Sequence, residues 1–302
     1  MTSGRGGRSG ESPRSVVGPF PLANDCAERR LRTSVGGALG GARSAALVGL
    51  AFALALELTM AGGVAGQERP LVGDRPDFTE STETVEPGHL QLETGATFSR
   101  TSAGDTEELM VGEVLLRVGL SASWELRIGA GSLVDVSSDF ADVDGLEDAS
   151  LGFKVKLLAA RGRAPDLALL LGTSLPTGSS ELTDDVAVPE VKVAAGWSLA
   201  ERLGLGANVG WARAVDGGER FDQLSWSVAA GLDLGGDWAA FGELYGFSEE
   251  DLDGDPTLYF DAGITRLIHS DLQLDARVGA GLIDGGGEIA DWFAGVGAVV
   301  RW

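Results

Sequence analysis

The chain has 302 residues, 46 of them glycine, and a formal net charge of −22. That acidity excludes nucleic acid as a partner, because phosphate backbones are bound through Lys and Arg. The single cysteine, Cys26, excludes a disulfide framework and a cysteine-based metal site, and the lack of recurring apolar runs of about 20 residues excludes a helical membrane protein.

The first segment in chain order reads as a targeting signal. Residues 1–42 are rich in Gly, Ser and Arg. After Arg43 comes the apolar run AALVGLAFALAL (45–56), and VAG (64–66) then places small residues before Gln67. This is the layout of a secretory signal with its cleavage site. The long leader fits either an over-extended start or an extended n-region. Residues 1–66 are therefore set aside from the fold. Removing their seven Arg and four acids takes the net charge from −22 to −25 and leaves no cysteine.

From His89 onward the sequence breaks into short alternating runs closed by turn residues. Twelve are predicted: 89–100, 106–120, 124–134, 147–160, 166–176, 189–200, 202–214, 221–235, 238–248, 257–268, 271–283 and 291–302. In LQLDARVGAGL, residues 272–282, Leu272, Leu274, Ala276, Val278, Ala280 and Leu282 share one face, opposite Gln273, Asp275 and Arg277. LSWSVAAGLDL (224–234) and WELRIGAG (124–131) alternate in the same way, as period-two strands do. Two runs do not disclose a face. DLALLLGTSL is apolar on both sides, and WAAFGELYGF hides its outward parity.

Alternation alone fits a soluble sandwich with its apolar face inward as well as a membrane barrel with that face against lipid. The connections separate the two. After even-numbered runs they are short (SAS, ARGRAP, AER, GGD, HSD). After odd-numbered runs they tend to be longer and acidic, as in DVSSDFADVDGLED, TGSSELTDDVAV and SEEDLDGDP. Such bookkeeping belongs to an up-and-down barrel with short periplasmic turns. Trp124, Trp197, Trp238 and Trp302 would fall near the periplasmic ends, and Trp211, Trp226 and Trp292 near the outer ends, as two interfacial girdles. The predicted fold is an all-β, transmembrane, antiparallel barrel of about twelve strands over 89–302. Terminal Trp302 would serve as the signal read by the barrel-assembly machinery, with its strand closing the sheet against the first run.

The stretch leading into and through the first strand is DRPDFTESTETVEPGHLQLETGATFSR, residues 74–100. With Arg75, Pro76, Phe78, Thr79, Glu80 and Ser81, then Pro87, Gly88, Leu90, Leu92, Glu93 and Gly95, it resembles the N-terminal signature of the outer-membrane β-barrel family of meta-pathway phenol-degradation transporters. DASLGFKVKL (148–157) and LPTG (175–178) are also similar to that family. The resemblance implies an outer-membrane barrel with a transport role.

A barrel of this size could pass small solutes if its interior is open. The inward parity yields Glu93, Glu113, Arg117, Glu125, Arg127, Lys154, Lys156, Glu190, Lys192, Asp275, Arg277 and Arg301 as lumen-lining candidates. Their charges would either orient a polar solute or pair across neighbouring strands and keep the interior satisfied. Residues 67–88, bracketed by Pro76 and Pro87, have two readings: a plug within the lumen, with Arg75 meeting Glu93 or Glu113, or a segment hanging in the periplasm. DVDG (142–145) and DLDGD (251–255) look like fragments of calcium loops without the closing Glu, and read as solvated outer loops near lipopolysaccharide.

No catalytic, cofactor-binding or metal residues are expected. His89 and His269 fall at strand ends on the periplasmic side, and no G-x-S-x-G elbow occurs. The sequence therefore points to a non-enzymatic channel of the bacterial outer membrane for small molecules, aromatic or apolar ones included. The alternative is a structural barrel that does not conduct. The expected partners are lipid, lipopolysaccharide and the assembly machinery.

Overall fold

The computed structural model describes residues 70–302, except 103–104 and 140–141, together with the strand Val16–Val17. The expected signal segment otherwise lies outside the described residues, as do residues 67–69. In chain order the strands are β1 (Val16–Val17), β2 (Leu90–Thr101), β3 (Thr106–Ser121), β4 (Trp124–Gly129), β5 (Leu133–Ser137), β6 (Asp142–Leu146), β7 (Ala149–Leu158) and β8 (Asp166–Leu175). They continue with β9 (Pro189–Ala200), β10 (Leu203–Asp216), β11 (Glu219–Gly235), β12 (Trp238–Phe247), β13 (Thr257–His269), β14 (Leu272–Asp284), β15 (Glu288–Ile289) and β16 (Trp292–Arg301).

Strands β4 and β5 form one interrupted stave, as do β6 and β7, since all of β4, β5, β6 and β7 pair in a single hairpin register. The result is a closed antiparallel barrel of twelve staves. Each stave pairs with its sequence neighbour, and β16 closes against β2. The last residue completes the seam: the N–H of Trp302 donates to the Leu90 carbonyl and the N–H of Leu90 to the Trp302 carbonyl, both at 2.9 Å. Closure leaves no edge strand, which is what permits a sheet to sit in hydrocarbon.

Which way the apolar faces point is decided by exposure. Val209, Val228, Leu232, Leu274, Val278, Leu282 and Val296 all face outward, whereas Glu93, Arg117, Glu125 and Lys154 are each no more than 1% exposed. Apolar side chains out and charged side chains in is the inverse of a soluble sandwich, and it is the transmembrane arrangement.

Several details depart from the sequence expectations. Most of DVSSDFADVDGLED is strand rather than loop, because Val134, Val143 and Leu182 bury themselves with Met110 in a small cluster near the outer end. The DVDG fragment thus lies in β6. The expected long connection between runs 7 and 8 is a two-residue turn, Gly217–Gly218, whose φ angles of 58° and 87° suit glycine and the primed hairpin turns. That hairpin projects beyond its neighbours, so Trp226 lies within β11 rather than near its outer end. Finally, a bulge at Gly112–Glu113 breaks the register between β2 and β3. Inward positions therefore change from Thr106, Glu108 and Met110 to Arg117 and Gly119.

Candidate functional site

Residues 71–86 pass among the inward-facing side chains of the barrel. Leu71, Asp74, Phe78, Thr79, Thr82, Thr84 and Val85 are all buried. The wall is flattened to receive them. A Cβ at Gly95 of β2 or at Gly297 of β16 would come within 2.3 Å of the Arg75 guanidinium, so glycine at both positions is what lets that side chain lie against the sheet.

One group of contacts is ionic. Asp74 Oδ2 accepts from Arg127 and Lys154, both at 2.6 Å, and lies 3.0 Å from Arg117. Its Oδ1 accepts from the N–H and hydroxyl of Ser81. Burial alone would raise the Asp74 pKa, but the attraction of Arg117, Lys154 and Arg127 outweighs it and holds the carboxyl well below the usual range. Arg117 also forms a two-pronged contact with Glu125 at 2.8 and 2.9 Å and reaches Glu93 at 2.8 Å. Glu125 in turn accepts the N–H of Val85 at 2.8 Å. Arg75 donates to Glu113 at 2.5 Å and lies 3.5 Å from Asp275, while its backbone N–H donates to Glu93. Arg127 binds both oxygens of Glu80 at 3.0 Å, and Lys156 binds Glu83 at 2.6 Å.

The other group is aromatic. Phe78 stacks on Tyr245 with centroids 4.5 Å apart, and Tyr245 stacks on Tyr259 at 4.9 Å. Phe247, Ile289, Ala290 and Phe293 complete the cluster. Glu243, beside Tyr245 on β12, accepts from the N–H groups of Phe78 and Thr79 and from the Thr79 hydroxyl, whose oxygen also lies 2.8 Å from Ser227 Oγ, which donates to it. Asn208 exchanges two hydrogen bonds with the backbone of Glu80. Burial and the nearby Glu243 push the Asp77 carboxyl well up. At the outer rim, the hydroxyls of Thr257 and Tyr259 donate to Glu250, whose burial pushes its pKa up to about 7.

The structure brings Glu93, Glu113, Arg117, Glu125, Arg127, Lys154, Lys156 and Asp275 into the ionic group. Arg277 lies 3.7 Å from Asp261 and 5.4 Å from the Phe293 ring, on the aromatic side. Lys192 sits 5.0 Å above Phe78, and Glu190 is half-buried close to Gly172 of β8. Arg301 stands apart, binding Asp271 at the short-turn end. Sequence reasoning missed Asp74 and the interior residues Glu243, Tyr245, Tyr259, Asp261 and Asn208. The alternation of Glu243 and Tyr245 around Leu244 was the available signal, and the small residues of WAAFGELYGF masked it.

Residues 73–302 match the family described as "Putative MetA-pathway of phenol degradation". Among solved structures, an outer membrane channel from Pseudomonas putida F1 is similar at 15% identity and a TM-score of 0.58, over 73% of this chain and 98% of that one. The NanC porin aligns at 10% identity with a TM-score of 0.48, over 70% of this chain and 98% of that one. No curated protein matches the chain. At 15% identity the likeness to the Pseudomonas putida channel is one of fold, an outer-membrane type of barrel. The family match takes in both the segment inside the barrel and every stave around it, and the chain belongs to this phenol-degradation family.

Proposed function

We propose that the protein is a passive channel of the bacterial outer membrane for small aromatic or apolar molecules, with residues 70–88 acting as its gate. The observation that carries this reading is the segment's double attachment. Ion pairs around Asp74 hold one part of it, and the Phe78 stack with the Glu243 hydrogen bonds holds the other. An aromatic cluster inside a charged bore offers ring faces to an aromatic solute, and the family's name, which refers to phenol degradation, agrees with that class. A solute that replaced Phe78 against Tyr245 would compete directly with the gate. No step requires catalysis, and passage is diffusive.

The experiment is planar-bilayer conductance of the mature chain and of a form lacking residues 67–88. The expected result is small or rare openings for the first and larger, steadier ones for the second. Silence from both forms, with folding verified by heat-dependent gel migration, would overturn the reading in favour of a non-conducting structural barrel.

A further inference from the structure

Arg266 stands on the apolar face of the barrel. On β13 the outward positions are Ile264, Arg266 and Ile268, all exposed, while Tyr259 and Asp261 of the opposite parity are fully buried. A cation on the lipid-facing side is costly in the membrane interior and tolerated only near an interface. Arg266 is three residues from the end of β13, on the side of the short turns, and there it has company. Its guanidinium lies 5.0 Å above the ring of Trp238, its register partner on β12. Trp238 in turn pairs with Gly235 of β11, and a Cβ at Gly235 would be 3.0 Å from the guanidinium of Arg202. Two arginines thus flank one exposed tryptophan across three adjacent strand ends.

Among the described residues, neither guanidinium has a carboxylate within 4.0 Å. The acids nearby in sequence are Glu201, Asp233 and Asp237, and an oxygen of Asp233 accepts the N–H of Gly235 instead. On the membrane side of this trio, Leu232 and Ile264 are exposed on either side of Ala240.

We propose that Arg202, Trp238 and Arg266 form a binding site for the phosphate headgroup of an anionic phospholipid in the leaflet on the short-turn side. Guanidinium groups offer forked donors to phosphate oxygens. The tryptophan lies at headgroup depth, and the acyl chains would run along Leu232, Ala240 and Ile264. The inference is independent of the gate and needs only that the apolar band face lipid.

The test is native mass spectrometry of the mature protein in detergent, titrated with phosphatidylglycerol or phosphatidylcholine of equal chain length. Folding of each variant is checked by heat-dependent gel migration. The wild type should retain phosphatidylglycerol preferentially. The double variant Arg202→Gln/Arg266→Gln should lose about tenfold or more of that affinity, as expected for two interfacial arginines. Arg161→Gln/Arg163→Gln, in a neighbouring turn on the same side, should leave it unchanged. Equal retention of the two lipids, an equal loss in the Arg161/Arg163 variant, or displacement of the lipid by inorganic phosphate would each overturn the assignment.

Discussion

The two halves of the barrel interior hold the N-terminal segment by different physics. Around Asp74, charges of opposite sign meet at 2.6–3.0 Å, and every carboxylate there has a cation or an N–H to satisfy it. Around Phe78 the attachment is rings plus one acid, and polar atoms are left over: Tyr245 Oη and both oxygens of Asp261 find no hydrogen-bond partner among the described residues. Buried polar groups without partners are costly. Under the proposed gating, the ionic half is the anchor, and the aromatic half is the one that exchanges its contacts for those of a solute.

That contrast can be broken at either end. The largest effect is expected from Asp74→Asn, which leaves Arg117, Arg127 and Lys154 converging on a neutral amide. Removing one partner of a buried ion cluster costs roughly 3–5 kcal/mol. The segment should leave the bore, seen as faster proteolysis within 70–88 and raised conductance. Phe78→Ala removes the stack on Tyr245, and deleting a buried phenyl group costs about 3–5 kcal/mol in a closed core and less where a mobile segment relaxes. It should raise conductance less than Asp74→Asn and weaken any block by added phenol. Glu243→Gln keeps the shape but loses the charge, and charge-assisted bonds contribute about 1.5–3 kcal/mol. Its expected signature is a modest rise in open probability, with the ionic half still protected from protease.

The smallest effect concerns pH. Glu250 has a folded pKa of about 7 against an ordinary value of 4.5. Its raised value means that the folded state holds the proton longer, so the contribution of Glu250 to folding stability is fully present below about pH 4.5, is lost as pH rises toward 7, and changes no further above. Glu250→Gln should flatten that decline in thermal-unfolding midpoints measured across pH 4–8. A slope identical to wild type would show that Glu250 is not its source.

The same contrast runs through what the sequence disclosed. The strands were legible because Leu, Val and Trp alternate with Gly and charged residues so strictly, and the ionic half followed because Glu, Arg and Lys mark their own parity. The bulge at Gly112–Glu113 was not legible, since one extra residue changes the inward face without changing composition, and Glu108 was lost with it. The aromatic half stayed hidden because Ala239, Ala240, Gly242 and Gly246 dilute the pattern around Glu243 and Tyr245. Asp74 was invisible as a partner, because no periodicity connects a segment without secondary structure to cations on β3, β4 and β7.

In the proposed function, residues 70–88 move within the bore to admit solute. Residues 67–302 contain no cysteine, and the Thr79 and Ser227 side-chain oxygens are 2.8 Å apart, so Thr79→Cys/Ser227→Cys places a disulfide between the segment and the wall. Single-channel recording of this variant before and after reduction is the direct test. Closure when oxidised and recovery of conductance on reduction are predicted. Equal conductance in both states, with the disulfide verified by mass spectrometry, would show that the segment does not gate the bore.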